Sequence, residues 1–223
     1  MATTKKVEEA TVEVMRLDMR QTVIRVVGDT PLICHKWSEK AKRQIRDSQT
    51  GKAKLKKEPK NPVEYFIDTL YWLDGEPEEK TEQGFIEAMQ KHPRFGFPST
   101  AFKQSAIMGA YRLGADIKTT VMKAAIIIPA EFIEIKYDTA DAVEMREDMV
   151  KVGGISKVAD IRYRAQITNW HADIPVRYAA NKVSLEQIVN LFQLGGFGCG
   201  VGEWRNEKDG IFGAYHVDGA DKM

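Results

Sequence analysis

The chain has 223 residues, 43% of them hydrophobic, with 33 Lys/Arg against 32 Asp/Glu for a net charge of +1. That is enough length and apolar content for one domain with insertions, and a net charge so near zero neither demands nor forbids a polyanionic partner. No apolar run approaches a membrane span, so a membrane partner is not expected. The opening Met-Ala-Thr-Thr-Lys-Lys lacks the apolar stretch of a signal peptide. Two cysteines, Cys34 and Cys199, lie far apart without a CxxC or Cys/His cluster. The chain therefore carries no zinc signature and no cofactor motif, and it reads as a protein of the reducing cytoplasm.

Residues 1–10 are polar, and β-prone residues dominate 11–27, with Thr22 to Val27 the firmest strand. Gly28-Asp29-Thr30-Pro31 signals a turn, and Leu32 to His35 is a short apolar run. Ser38 is placed to cap a basic helix reaching about Asp47. Residues 39–60 hold nine Lys/Arg against three Asp/Glu and read as a flexible basic insertion, with Lys52, Lys54, Lys56 and Lys57 as a candidate electrostatic footprint. Asn61-Pro62-Val63-Glu64 opens a helix whose Val63, Phe66, Ile67, Leu70 and Tyr71 share a core face. Residues 74–82, with five acids against Lys80, begin a second insertion, an acidic loop and short helix reaching 95. A capped helix follows Pro98, and its Ala101, Ser105 and Gly109 make a small-residue side that another backbone can approach.

Residues 125–128 and 131–137 read as strands, and residues 138–157 as a polar connection turning at Gly153-Gly154. A long strand begins at Ile161, with Arg162, Arg164, Gln166 and Thr168 on a guanidinium-bearing face. It continues through Ala172, Ile174, Val176 and Tyr178, and Trp170 and Tyr178 belong to the core. Ser184 and Gln187 form a capping box, and Leu185, Ile188, Val189 and Phe192 line one helical face. Five glycines then fall within residues 195–202, before a strand-like run over 211–217. Either the backbone there lies against a phosphate chain through exposed N–H groups, or the glycines serve a mobile loop or tight packing. The order of elements predicts an α+β fold, with a ferredoxin-like (RRM-like) antiparallel sheet carrying helices on one face and insertions.

Two stretches together resemble the RAMP superfamily, the repeat-associated proteins of CRISPR systems, in particular the subunits that polymerise along guide RNA. Pro98-Ser99-Thr100-Ala101-Phe102-Lys103-Gln104-Ser105-Ala106 is similar to the family's helix opening, with Ser99 and Gln104 where glycine is usual. Residues 195–213 are similar to its C-terminal glycine-rich loop, here with Glu203 and Glu207 in place of a basic run. The resemblance implies one RAMP-like domain over 1–223 that binds single-stranded RNA or DNA without sequence preference, protomer beside protomer. It fits a CRISPR subunit or a stand-alone relative, for example one encoded by a bacteriophage. It places Ser99, Lys103 and the Gly198, Gly200 and Gly202 backbone near the strand.

The residues themselves point the same way. Arg162 and Arg164 on a sheet face, with Tyr163, Trp204 and Arg205 nearby in sequence, are types that hold phosphates and stack on unpaired bases. The expectation is a non-catalytic protein that binds single strands and multimerises along them. Two alternatives stand beside it. One is a metal-independent RAMP endoribonuclease using His35 as general base; the other is an assembly protein that polymerises without nucleic acid.

Overall fold

The computed structural model describes residues 14–51, 59–152 and 158–219. The chain enters through β1 (Met19–Gly28), whose Ile24 and Val26 are buried while Val23 and Arg25 face outward, the period-two pattern of a half-buried strand. β2 (Leu32–Cys34) is buried throughout. Ser38 caps α1 (Glu39–Gln49) by accepting from Ala41 N–H at 3.1 Å, and Asn61 caps α2 (Pro62–Thr69) by accepting from Val63 N–H at 3.1 Å. Both helix starts follow the local chemistry read above. α1 buries none of its residues, whereas α2 seats Phe66 and Ile67 in the core. After β3 (Tyr71–Trp72), α3 (Glu82–Gln90) and β4 (Phe95–Pro98) come α4 (Ser99–Arg112), α5 (Thr119–Ala125), β5 (Ile126–Ile127) and β6 (Phe132–Ile135). The chain closes with β7 (Val143–Val152), β8 (Val158–Ile167), β9 (His171–Ala179), α6 (Leu185–Gly198) and β10 (Tyr215–Val217).

The central sheet runs β10-β1-β9-β5, and every neighbouring pair is antiparallel. With α4 leading into β5 and α6 into β10, the fourth core strand lies beside the first, the first beside the third and the third beside the second. That is the split βαβ, ferredoxin-like order, so the expected α+β class is the one observed. The inward residues Ile24, Val26, Ala172 and Ile174 meet Phe102, Ala106, Ile188 and Phe192 of α4 and α6 in one core, which puts the long helices on one face. Two smaller sheets, β2-β8-β7 and β3-β4-β6, are built from the segments inserted between core elements.

Several local expectations are corrected. The supposed connection at 138–157 contains β7, a ten-residue strand paired to β8 from Val143 opposite Ile167 to Val152 opposite Val158. Charges fall on both faces, Glu144, Arg146 and Asp148 on one and Glu147 and Lys151 on the other, so no uninterrupted apolar face advertised it, and its pairing with β8 stabilises it instead. The strand read as continuous from 161 to 178 is two strands in different sheets. They are broken at Asn169, which takes a left-handed φ of 47° that asparagine tolerates, and Trp170 is buried with Nε1 donating to Thr30 O at 2.9 Å. Residues 119–125 are helical, so the strand expected over 125–128 shrinks to Ile126–Ile127. α4 has Pro98 at its N-cap and no side-chain cap. The terminal strand is only Tyr215–Val217, and Leu185 is exposed while the rest of its predicted face is buried. The Gly153-Gly154 turn lies outside the described residues.

The largest correction concerns the glycines. The capping box at Ser184 and Gln187 is present as read, but the helix it opens runs through Gly195, Gly196 and Gly198 to its end. Gly195 meets the small-residue side of α4. A Cβ on it would lie 2.5 Å from Ala106 Cα and 2.7 Å from Ala106 N, and Ser105 Oγ donates to Gly195 O at 2.9 Å. Here glycine is used for helix-to-helix contact.

Candidate nucleic-acid interface

Pairing of β2 with β8, Ile33 opposite Gln166 and Cys34 opposite Ala165, carries His35, Lys36 and Trp37 out of the sheet toward the start of α1. Lys36 N–H donates to Thr69 O at 3.0 Å. Trp37, one residue before the capping Ser38, is left 58% exposed. It stands at a groove of about 550 Å³ whose walls include Tyr65 of α2 and Tyr163 of β8, and whose lining also includes Arg162, Arg164, His35 and Glu203.

The β7–β8 register sets the ion network that holds Arg164. Arg146 lies opposite Arg164 and Asp148 opposite Arg162, and these residues share one face of the hairpin because side chains alternate along each strand. Asp148 is 7% exposed and Arg164 6%. Arg164 Nη1 donates to Asp148 Oδ2 at 3.1 Å, and Arg146 donates to Oδ1 through Nε (2.9 Å) and Nη2 (2.6 Å). The Arg146 guanidinium lies 4.5 Å from the Phe212 ring centroid, a cation–π contact. Buried charges persist only when paired in this way. Arg164 Nη2 lies 3.8 Å from Glu203 Oε2, and His35 Nδ1 lies 3.4 Å from Glu203 Oε1. His35, then the Arg164 and Arg205 guanidiniums, hold the Glu203 carboxyl below the usual carboxylate range, so it is ionised at neutral pH.

The residues singled out from sequence are distributed unevenly. Arg162 sits at the groove's lip, partly exposed and 3.4 Å from Asp160. Arg164, expected on a solvated face, is buried in the ion network. Gly200, Gly202 and Arg205 line an adjoining cleft of about 170 Å³ that shares His35 and Glu203 with the groove. The exposed-amide reading of the glycines does not hold for Gly198, which is helical, or for Gly200, whose N–H donates to Gly195 O at 2.9 Å. Gly202 adopts φ +85°, and a Cβ there would lie 2.6 Å from Ile33 O, so it too serves packing against β2. Arg205 pairs with Glu207 at 2.6 Å and donates to Gly202 O at 3.0 Å. Trp204 is exposed, as read, and lines neither cleft. Ser99 is buried with its N–H donating to Glu131 O at 2.9 Å. Lys103 donates to Lys123 O at 2.8 Å, away from the groove, and partial burial lowers its pKa. Lys52, Lys54, Lys56 and Lys57 lie outside the described residues.

Trp37, Tyr65 and Glu203 were missed as site residues. An aromatic between an apolar run and a capped basic helix was the available signal for Trp37; nothing local marked Glu203. Among the described residues no group of three or more His, Cys, Asp or Glu is arranged to hold a metal ion, and no helix is long and apolar enough to cross a membrane. Burial pushes the Cys34 thiol up to about 12 and also raises that of Cys199, so neither is a ready thiolate nucleophile.

No protein-family model matches the chain, and no curated protein matches it in sequence. Among solved structures it is similar to the crystal structure of Cmr6 from Pyrococcus furiosus, at 7% sequence identity and a TM-score of 0.41, over 89% of this chain and 98% of that one. A likeness that loose carries no inference about residues or activity.

Proposed function

We propose that the protein binds single-stranded nucleic acid without cutting it, seating bases in the Trp37 groove, with protomers arranged side by side along the strand. One observation carries this reading. An exposed tryptophan and two tyrosines, Tyr65 and Tyr163, surround a groove that has arginine at its lip. Aromatic platforms beside a cationic edge are what sequence-tolerant single-strand binders use. Phosphates run past Arg162 and the exposed Lys42, Arg43 and Arg46 of α1. The RAMP resemblance of the two sequence motifs supports the same reading.

Fluorescence anisotropy with labelled single-stranded RNA and DNA at low salt tests it. Trp37→Ala weakens binding about 5- to 150-fold, the range for loss of one stacked base. Arg162→Ala flattens the dependence of log affinity on log salt by about 0.7. No binding by wild-type protein at micromolar concentration ends the proposal. Protein bound per oligonucleotide rises with oligonucleotide length if protomers align. The His35–Glu203 pair favours one competing reading, since a carboxylate beside histidine can orient a general base. Gel analysis of RNA incubated with wild type and His35→Ala separates the two: intact RNA with both supports binding alone, and cleavage lost only in the variant supports the nuclease.

A further inference from the structure

The groove carries more hydrogen-bonding chemistry than stacking requires. Arg164 and Glu203 line it, and Asp148 pairs with both Arg164 and Arg146, so this cluster of two guanidiniums and two carboxylates has no net charge. A phosphate brought there loses its water and meets as much negative charge as positive. A neutral polar group that both donates and accepts suits the cluster better, so the base turns inward and the backbone outward.

The arrangement of donors and acceptors narrows which base. Arg164 Nη1 is engaged by Asp148 at 3.1 Å. Nη2 faces Glu203 Oε2 at 3.8 Å, beyond hydrogen-bond reach, so neither atom satisfies the other. Glu203 is half-exposed, and as a carboxylate it only accepts; His35 Nδ1 lies 3.4 Å from Oε1, which leaves each oxygen a lone pair for a further donor. Side by side the pair therefore offers one donor and then two acceptors, the same order as the pairing edge of cytosine. Its complement is one acceptor followed by two donors. Guanine alone among the common bases has that edge, with O6, N1–H and the 2-amino group in sequence. Uracil sets a second carbonyl against the carboxylate, cytosine presents its acceptors there, and adenine has one amino donor and no carbonyl.

We infer that the Arg164–Glu203 pair is a guanine-reading site, in which Arg164 Nη2 donates to O6 while the Glu203 oxygens accept from N1–H and the 2-amino group. This rests on the single-strand reading above. The site reads one guanine per protomer, held between the aromatic walls, while flanking nucleotides contribute only backbone and stacking.

The test is anisotropy with labelled uridine heptamers, and their deoxy counterparts, whose central base is guanine, hypoxanthine, adenine, cytosine or unchanged. The guanine heptamer binds about tenfold or more tighter than those with adenine, cytosine or uracil, the size that several hydrogen bonds to one base edge give. Hypoxanthine, which lacks the 2-amino group, falls between. Glu203→Gln replaces one acceptor with a donor and brings the guanine-to-uridine ratio close to one. Wild-type affinities within about twofold across all central bases overturn the guanine site and leave single-strand binding standing; so does a ratio that Glu203→Gln does not change. If no heptamer binds, the single-strand reading itself falls, and the guanine site with it.

Discussion

Asp148→Ala lowers the free energy of unfolding by about 3–5 kcal/mol, the cost of stranding a buried charge. Asp148 is the shared counter-ion of Arg146 and Arg164. The two arginines lie directly opposite each other across β7 and β8, where like charges repel. Arg164 is buried, and its Nε has no partner among the described residues. Without the carboxylate its Nη1 loses its acceptor as well, and the uncompensated cation must be solvated by opening the hairpin. Urea titration followed by circular dichroism measures the effect. Asp148→Asn, which keeps an oxygen but not the charge, falls between wild type and alanine. Adding Arg164→Met to Asp148→Ala recovers much of the loss, because replacing a whole buried pair with apolar groups costs far less than breaking it. A loss below about 1 kcal/mol for Asp148→Ala would remove the network as a structural element.

Gly195→Ala is the second large effect, a loss of about 2–3 kcal/mol, the upper part of the usual overpacking range. In an isolated helix this substitution gains roughly 1 kcal/mol. Here the added methyl would sit 2.5 Å from Ala106 Cα, 2.7 Å from its N and 2.8 Å from Ser105 C. All three are backbone atoms of a neighbouring helix, so no side-chain rotation relieves the clash. Separating α4 from α6 also breaks the 2.9 Å bond from Ser105 Oγ to Gly195 O and disturbs the 3.1 Å bond from Tyr215 OH to Ser105 Oγ. Phe197→Ala, at an exposed position of the same helix, changes stability by less than about 0.5 kcal/mol. Equal melting curves for Gly195→Ala and wild type would show that the helices do not touch through their backbones.

Much of the fold was legible locally. The caps at Ser38 and Asn61 and the capping box at Ser184 depend on bonds within three residues, so their chemistry is complete in the sequence. The small-residue side of α4 and the core placement of Trp170 follow from side-chain size and periodicity, and the order of strands and helices pointed to the ferredoxin-like sheet. The site was much less legible. Trp37, Tyr65, Tyr163 and Glu203 come from four separate segments, and nothing in any one of them indicates that they share a groove.

Two ambiguities needed the assembled chain. Clustered glycines are equally consistent with a backbone that exposes its amides and one that must be approached closely. Only the seating of Gly195 on Ala106 selects the second, because the approaching partner lies far away in sequence. Charges on both faces, such as those of β7, fit a solvated connection or a strand with a buried ion network. Which of these forms depends on whether Arg164 arrives opposite Arg146 with Asp148 between them. Short-range hydrogen bonds and periodicity are properties of neighbouring residues, whereas burial of a charge is a property of what surrounds it, and those surroundings exist only in the folded chain.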